Sequence, residues 1–324
     1  MAGRHIKEIL AAYNERDDLA FRRAANGIIE EEEAKRHTAL ARDLRRLLAA
    51  NGRSVPISLD PLPDAPRDRD SNTPLADVRL PQMLGLGDLV FPAGLRTRLE
   101  QLVGEVPQWP NLDAAGIPRR NRLLLYGPPG NGKSSIAEAL AAELGWPIAT
   151  VRIDSLVSSF LGETASNLSS LFEFAAGIPA VVLLDEFDSL GKLRDDPSDH
   201  GELRRVVNMT LQLIERYRGR SLLVAATNAP EVLDPALWRR FDDVLEVPMP
   251  TPEAVTKLLG MLLGPRFKLS ALSGVSAVLA GLPYAAVEHA AFGARRRALL
   301  NGHGEVSPTD LEDAARETTS RPWA

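Results

Sequence analysis

The chain has 324 residues, 44% hydrophobic and 25% charged, with a formal net charge of −5, five histidines and no cysteine. That length suffices for two or three domains with cores of their own, and the lack of cysteine excludes a disulfide framework or thiolate metal sites. No apolar run approaches the roughly 18 residues that span a bilayer, the N-terminal MAGRHIKEIL lacks a secretory h-region, and the acidic balance argues against a protein that coats nucleic acid, so the cytoplasm is the expected compartment.

Residues 4 to about 50 have helical periodicity. Ile6, Ile9, Leu10 and Tyr13 line one face of a first helix. A second starts near Asp17 or Asp18, carries Leu19, Ile28, Leu40, Leu44, Leu47 and Leu48, and ends near Asn51-Gly52. The run Glu30 to Glu33, followed by Lys35 and Arg36, reads as a solvated face with charges paired one turn apart. Residues 1–52 are therefore expected to be a helical N-terminal region. Residues 53–78, with DPLPDAPRDRDSNTP at their centre, have the composition of a flexible linker.

From Arg122 short apolar runs alternate with helical stretches: Leu123 to Tyr126, Ile148 to Ile153, Ala180 to Leu184, Leu222 to Ala226 and Val244 to Val247. Five such strands separated by helices predict a parallel sheet covered on both faces, an α/β domain over residues 79–249. Gly145 and Gly177 mark helix ends and Asp234-Pro235 a helix start. After Pro250 no strand pattern remains. Thr251-Pro252, Tyr284 and Ser307-Pro308 open helices of an all-helical region, residues 250–324.

GPPGNGKS follows the first of these strands directly and precedes a helix. Its residues are Gly127, Pro128, Pro129, Gly130, Asn131, Gly132, Lys133 and Ser134, with Ser135 next. Strand, glycine-rich loop and helix N-terminus form the context in which backbone N–H groups close around phosphate oxygens. Lys133 would reach the β and γ phosphates of ATP and Ser134 would hold Mg²⁺; the plain alternative is a glycine-rich turn. In VVLLDEFDSL a buried strand delivers Asp185 at its C-terminal end, where it would join the Mg²⁺ shell, and Glu186 one residue later would polarise the attacking water. LLVAATNAPEVLDPALWRRFD ends another strand at Thr227-Asn228, so the Asn228 amide would project beside the γ phosphate, and Arg239 and Arg240 follow a short helix.

These residues together resemble AAA ATPases, which carry a phosphate-binding loop, an acidic strand end, an asparagine sensor and arginine fingers in this order; the likeness covers roughly residues 80 to 300. The resemblance implies a five-stranded P-loop NTPase core followed by a small helical lid. It also implies that Arg239 and Arg240 act on the nucleotide of a neighbouring subunit, in a homo-oligomeric ring, a hexamer. Many members separate the two arginines by Pro-Gly. Here they are adjacent, as in the microtubule-severing and related branch, which leaves open which one is the finger. Leu282-Pro283-Tyr284-Ala285 stands where the family has Ser-Gly-Ala-Asp opening a lid helix, so the lid is expected to contact nucleotide through small residues. LGLGDLVF, residues 84 to 91, resembles the segment that cups adenine.

In SSFLGE the resemblance matches Phe160, Leu161 and Gly162 to the pore loop that grips substrate polypeptide. Arg194 to His200 would form a second, polar pore loop. Arg295, Arg296 and Arg297 read as a solvated helix face, or as a contact to the next subunit. The implied activity is ATP hydrolysis driving a remodeller or unfoldase of proteins. The N-terminal helices would serve as a docking hairpin. The layout is also similar to small bacterial AAA ATPases encoded beside a subtilisin-like serine protease, which makes such a protease a candidate partner. A nucleotide-gated assembly switch controlling an effector, or a DNA-processing ATPase, are the alternatives.

Overall fold

Strands that carry hydrophobic residues on both faces belong inside a sheet, and four of the five runs from Arg122 onward become such interior strands in the computed structural model, the last forming an edge. It describes residues 24–29, 31, 62–68, 71–82, 84–152, 161–188, 202–232, 235–264, 273–302 and 305–323. The chain divides into two units, residues 1–56 and 57–324. In the first, residues 24–29 and 31 are helical, with Ala24 and Ile29 buried; the rest of the predicted N-terminal hairpin lies outside the described residues.

The second unit holds one six-stranded sheet: β1 (Ala76–Arg79), β2 (Arg122–Tyr126), β3 (Ile148–Val151), β4 (Val181–Leu184), β5 (Leu222–Thr227) and β6 (Asp243–Glu246), in the order β1-β3-β4-β5-β2-β6. The five predicted strands are present and mutually parallel, while β1 runs antiparallel to β3 at the edge. Every residue of β4 and β5 is buried, which is why both read as unbroken apolar runs.

Alternation along β2 divides the core. Leu124 packs on one face with Leu168, Leu171 and Phe172 of α4 (Leu161–Gly177) and with Leu211 and Ile214 of α5 (Glu202–Arg216). Leu123 and Leu125 pack on the other, with Leu95 and Leu99 of α1 (Ala93–Glu105) and Ile136 and Leu140 of α3 (Lys133–Leu144). The short α2 (Trp109–Ala114) precedes β2, and α6 (Pro235–Trp238) precedes β6. Among the described residues four helices follow β6: α7 (Pro252–Leu263), α8 (Ser273–Leu279), α9 (Tyr284–Leu300) and α10 (Pro308–Thr319). They bury their own core around Val255, Leu259, Leu279, Val287 and Leu311. Val90, just before α1, joins that lid core, whereas Leu86 in the same segment belongs to the sheet domain. No described helix is long and apolar enough to cross a membrane.

The predicted linker differs in its C-terminal part. Arg67 bridges to Pro74, Leu75 is fully buried, and β1 begins at Ala76. Asp68 accepts hydrogen bonds from the Ser71 backbone N–H at 2.7 Å and from the Asn167 amide of α4 at 2.6 Å. Composition pointed to a linker because an edge strand is held by backbone bonds and one or two apolar residues, not by a hydrophobic run.

Candidate functional site

The ends of parallel strands collect on one edge of the sheet, and the turn after β2 lies there because its neighbours are β5 and β6. The backbone of that turn can be built only with glycine where it passes closest to β6. A β-carbon on Gly127, at φ +142°, would sit 2.3 Å from the Val247 carbonyl oxygen. Gly132, at φ +83°, is the N-cap of α3, so Lys133 and Ser134 open that helix with their N–H groups facing the loop. The N-terminus of a helix carries partial positive charge, which suits an anion.

Lys133 is 6% exposed. Its ammonium donates to the Gly127 carbonyl at 2.7 Å and the Pro128 carbonyl at 2.9 Å, which aims it into the loop. Burial pushes its pKa below the usual lysine range, against the opposing pull of Asp185 and Asp188. The Ser134 hydroxyl donates to Asp185 at 2.5 Å, so the P-loop and the end of β4 meet at this pair. Hydroxyl and carboxylate oxygens side by side are hard donors of the kind Mg²⁺ takes. Among the described residues no cluster of three or more His, Asp or Glu offers an alternative metal site.

Glu186 follows at φ +50°, a left-handed conformation that costs a residue with a β-carbon about 1–2 kcal/mol. The turn it makes lets the Phe187 N–H reach the Ala226 carbonyl at 2.8 Å and buries Asp188. Asp188 then accepts from the Thr227 hydroxyl at 3.2 Å and the Asn228 N–H at 3.3 Å. Thus Asp188, which the sequence reading did not single out, orients the end of β5 from which Asn228 projects. The acidic residue three positions after Asp185 was visible, but an acid beside two others carries no mark of its separate task.

A cavity of about 380 Å³ is lined by Gly130, Gly132, Lys133, Ser134, Ser135, Asp185, Glu186 and Asn228 from the sheet domain and by Tyr284, Ala285 and Glu288 from α9. Three separated motifs therefore converge on one space, with the start of α9 as one of its walls. The pocket-lining Glu288 was not foreseen. Arg239 and Arg240 sit in the turn after α6 and do not line this cavity. Arg240 donates to Glu215 at 3.1 Å, whereas Arg239 is exposed and has no partner among the described residues. Leu161 and Gly162 open α4, while Phe160 and the stretch Arg194–His200 lie outside the described residues. In the segment 84–91, Arg96 donates to the Leu86 carbonyl at 3.0 Å and the Leu89 carbonyl at 2.9 Å, with its guanidinium 4.7 Å over the Phe91 ring.

The sequence model of the family described as "ATPase family associated with various cellular activities (AAA)" matches residues 123–249. An uncharacterized AAA family ATPase of Sinorhizobium fredii, y4kL, is 37% identical over 329 residues, covering 98% of this chain and 96% of the relative. The proteasome-activating nucleotidase of Pyrococcus abyssi is 40% identical over 179 residues, 51% of this chain; the match spans only 45% of that relative's length. In shape, the crystal structure of the FIGL-1 AAA domain matches with a TM-score of 0.60 at 26% identity, over 76% of this chain and 87% of that one.

Proposed function

The chain belongs to the AAA family of ATPases and hydrolyses ATP; from that premise we propose that it works as a ring, a hexamer, which remodels or unfolds other proteins. The observation that carries the reading is the cavity in which Lys133, Asp185, Glu186 and Asn228 converge while the arginine pair lies elsewhere. With Lys133 the one side-chain cation lining it among the described residues, the site is short of positive charge for a triphosphate, and a neighbouring copy is the natural source of more.

The backbone N–H groups from Gly130 to Ser135 hold the phosphates, and Lys133 compensates their charge. Ser134 and Asp185 would hold Mg²⁺, which when bound neutralises charge on the phosphate oxygens. Glu186 accepts the proton of the attacking water. Asn228, oriented through Asp188, positions that water. Arg239 supplies the finger to the next subunit, because Arg240 is engaged by Glu215 in its own chain. The printed name of the Pyrococcus relative, a proteasome-activating nucleotidase, supports a protein-handling role and a partner protease; a serine protease fits the resemblance in layout.

Phe160→Ala tests whether the ring pulls on polypeptide. If Phe160 grips substrate, losing an aromatic contact worth about 1.5–3 kcal/mol weakens the hold roughly ten- to hundredfold. The expected result is near-normal basal hydrolysis with no stimulation by an unstructured polypeptide such as casein. A variant that melts normally, hydrolyses ATP and responds to casein as the parent does would turn the reading toward a nucleotide-gated switch. Loss of both stability and hydrolysis would instead identify Phe160 as core.

A further inference from the structure

The first N–H groups of a helix have no partner within it, and each helix of the lid must find one. Two of them carry their own. Thr251 accepts from the Ala254 N–H at the start of α7, and Ser307 from the Asp310 N–H at the start of α10. The long α9 does not: its N-cap is Pro283, which has no side-chain acceptor. Its first two N–H groups are satisfied instead by the phosphate-binding loop. The Tyr284 N–H donates to the Asn131 side-chain oxygen at 3.4 Å, and the Ala285 N–H to the Gly130 carbonyl at 3.0 Å.

The other end of the Asn131 amide donates to the Val247 carbonyl at 3.3 Å, just beyond β6. Asn131 is 4% exposed, so water does not substitute readily for either partner. One side chain thus joins the loop, the sheet edge and the lid helix. We infer that the phosphate-binding loop is the N-cap of the lid helix, and that Asn131 is a positioning residue through which phosphate binding sets the orientation of α9. This rests on the reading of the cavity as the ATP site. Any adjustment of the loop around phosphate moves the acceptors of Tyr284 and Ala285, and α9 must follow or lose its cap. Glu288, one turn further along, is carried with it.

The test is Asn131→Ala, which keeps the loop's backbone and Lys133. Hydrogen–deuterium exchange is followed at the amides opening α9, with and without a slowly hydrolysed ATP analogue and Mg²⁺. Affinity is followed with a fluorescent ADP. In the parent protein nucleotide should slow exchange at these amides. In the variant that slowing should disappear at Tyr284, whose acceptor is the deleted side chain, while Ala285 keeps its bond to the Gly130 carbonyl; kcat should fall about fivefold or more, the factor one lost cap corresponds to, and affinity should stay within about threefold.

Adding Pro283→Ser gives α9 a cap of its own, independent of the loop. Basal protection of the helix should return, with kcat still low and exchange at Tyr284 still indifferent to nucleotide. The inference is overturned if Asn131→Ala retains the full nucleotide-dependent slowing. It is equally overturned if Pro283→Ser restores kcat, because Asn131 would then only stabilise the helix. A parent protein that does not bind the fluorescent ADP would fail at the earlier step, the nucleotide reading itself, and take this one with it.

Discussion

Lys133→Ala protein is expected to bind ATP about a thousandfold more weakly than the parent, or not measurably. Lys133 is the one side-chain cation lining the cavity among the described residues. Truncating one partner of a buried charge pair costs about 2–5 kcal/mol, and each 1.4 kcal/mol is about tenfold in affinity. Folding should be affected much less. Burial already disfavours the ammonium form of Lys133, so removing the charge relieves a desolvation cost that offsets the two carbonyl hydrogen bonds lost. A melting curve close to the parent's, together with a flat titration of fluorescent ATP, is the expected pair of results. Unchanged affinity would sink the assignment of the loop. Glu186→Gln provides the contrast: nucleotide remains bound, because Lys133, Ser134 and Asp185 are intact, and only turnover is lost.

Much of this site was legible in the sequence because its chemistry restricts residue type at fixed spacing. A loop that passes 2.3 Å from a carbonyl at the position of a β-carbon admits only glycine, and Lys133 and Ser134 stand out because they open the helix that follows that loop directly. The strands were legible for a different reason: burial on both faces leaves Val181–Leu184 and Leu222–Thr227 no polar position facing solvent. What was not legible depends on contacts that composition does not encode. The strand Ala76–Arg79 is held by backbone pairing to Ile148–Val151, 69 to 75 residues on, inside a stretch whose prolines and aspartates suggest a linker. The cap of Tyr284 by Asn131 is a backbone-to-side-chain bond across 153 positions. Asp188 and Glu288 are ordinary acids until the fold sets one under Asn228 and the other at the cavity. Two adjacent arginines are equivalent in sequence and become distinct only when Glu215 engages one of them.

That distinction gives the second large effect. Arg239→Ala should lower kcat by about 10³ to 10⁵, the range for loss of an arginine finger, or roughly 4–7 kcal/mol of barrier. Arg240→Ala should lower it far less. The Arg240–Glu215 pair, with Glu215 60% exposed, is a surface ion pair, worth at most about 1 kcal/mol. Glu215→Ala should then be nearly silent on its own. In combination with Arg239→Ala it releases Arg240, and a partial recovery of turnover would show that the tether to Glu215 decides which arginine serves. A finger that acts on the next subunit, as proposed, makes specific activity of the parent rise with protein concentration. Mixing Arg239→Ala protein with Lys133→Ala protein should recover turnover that neither has alone: the first brings an intact cavity and the second an intact Arg239. The decisive measurement is a dilution series of the parent run beside that mixture. Specific activity that stays flat over about a hundredfold dilution, with no recovery on mixing, would mean that one chain contains the whole site. Arg239 would then need a role within its own subunit, although the structure sets it outside the cavity that holds Lys133.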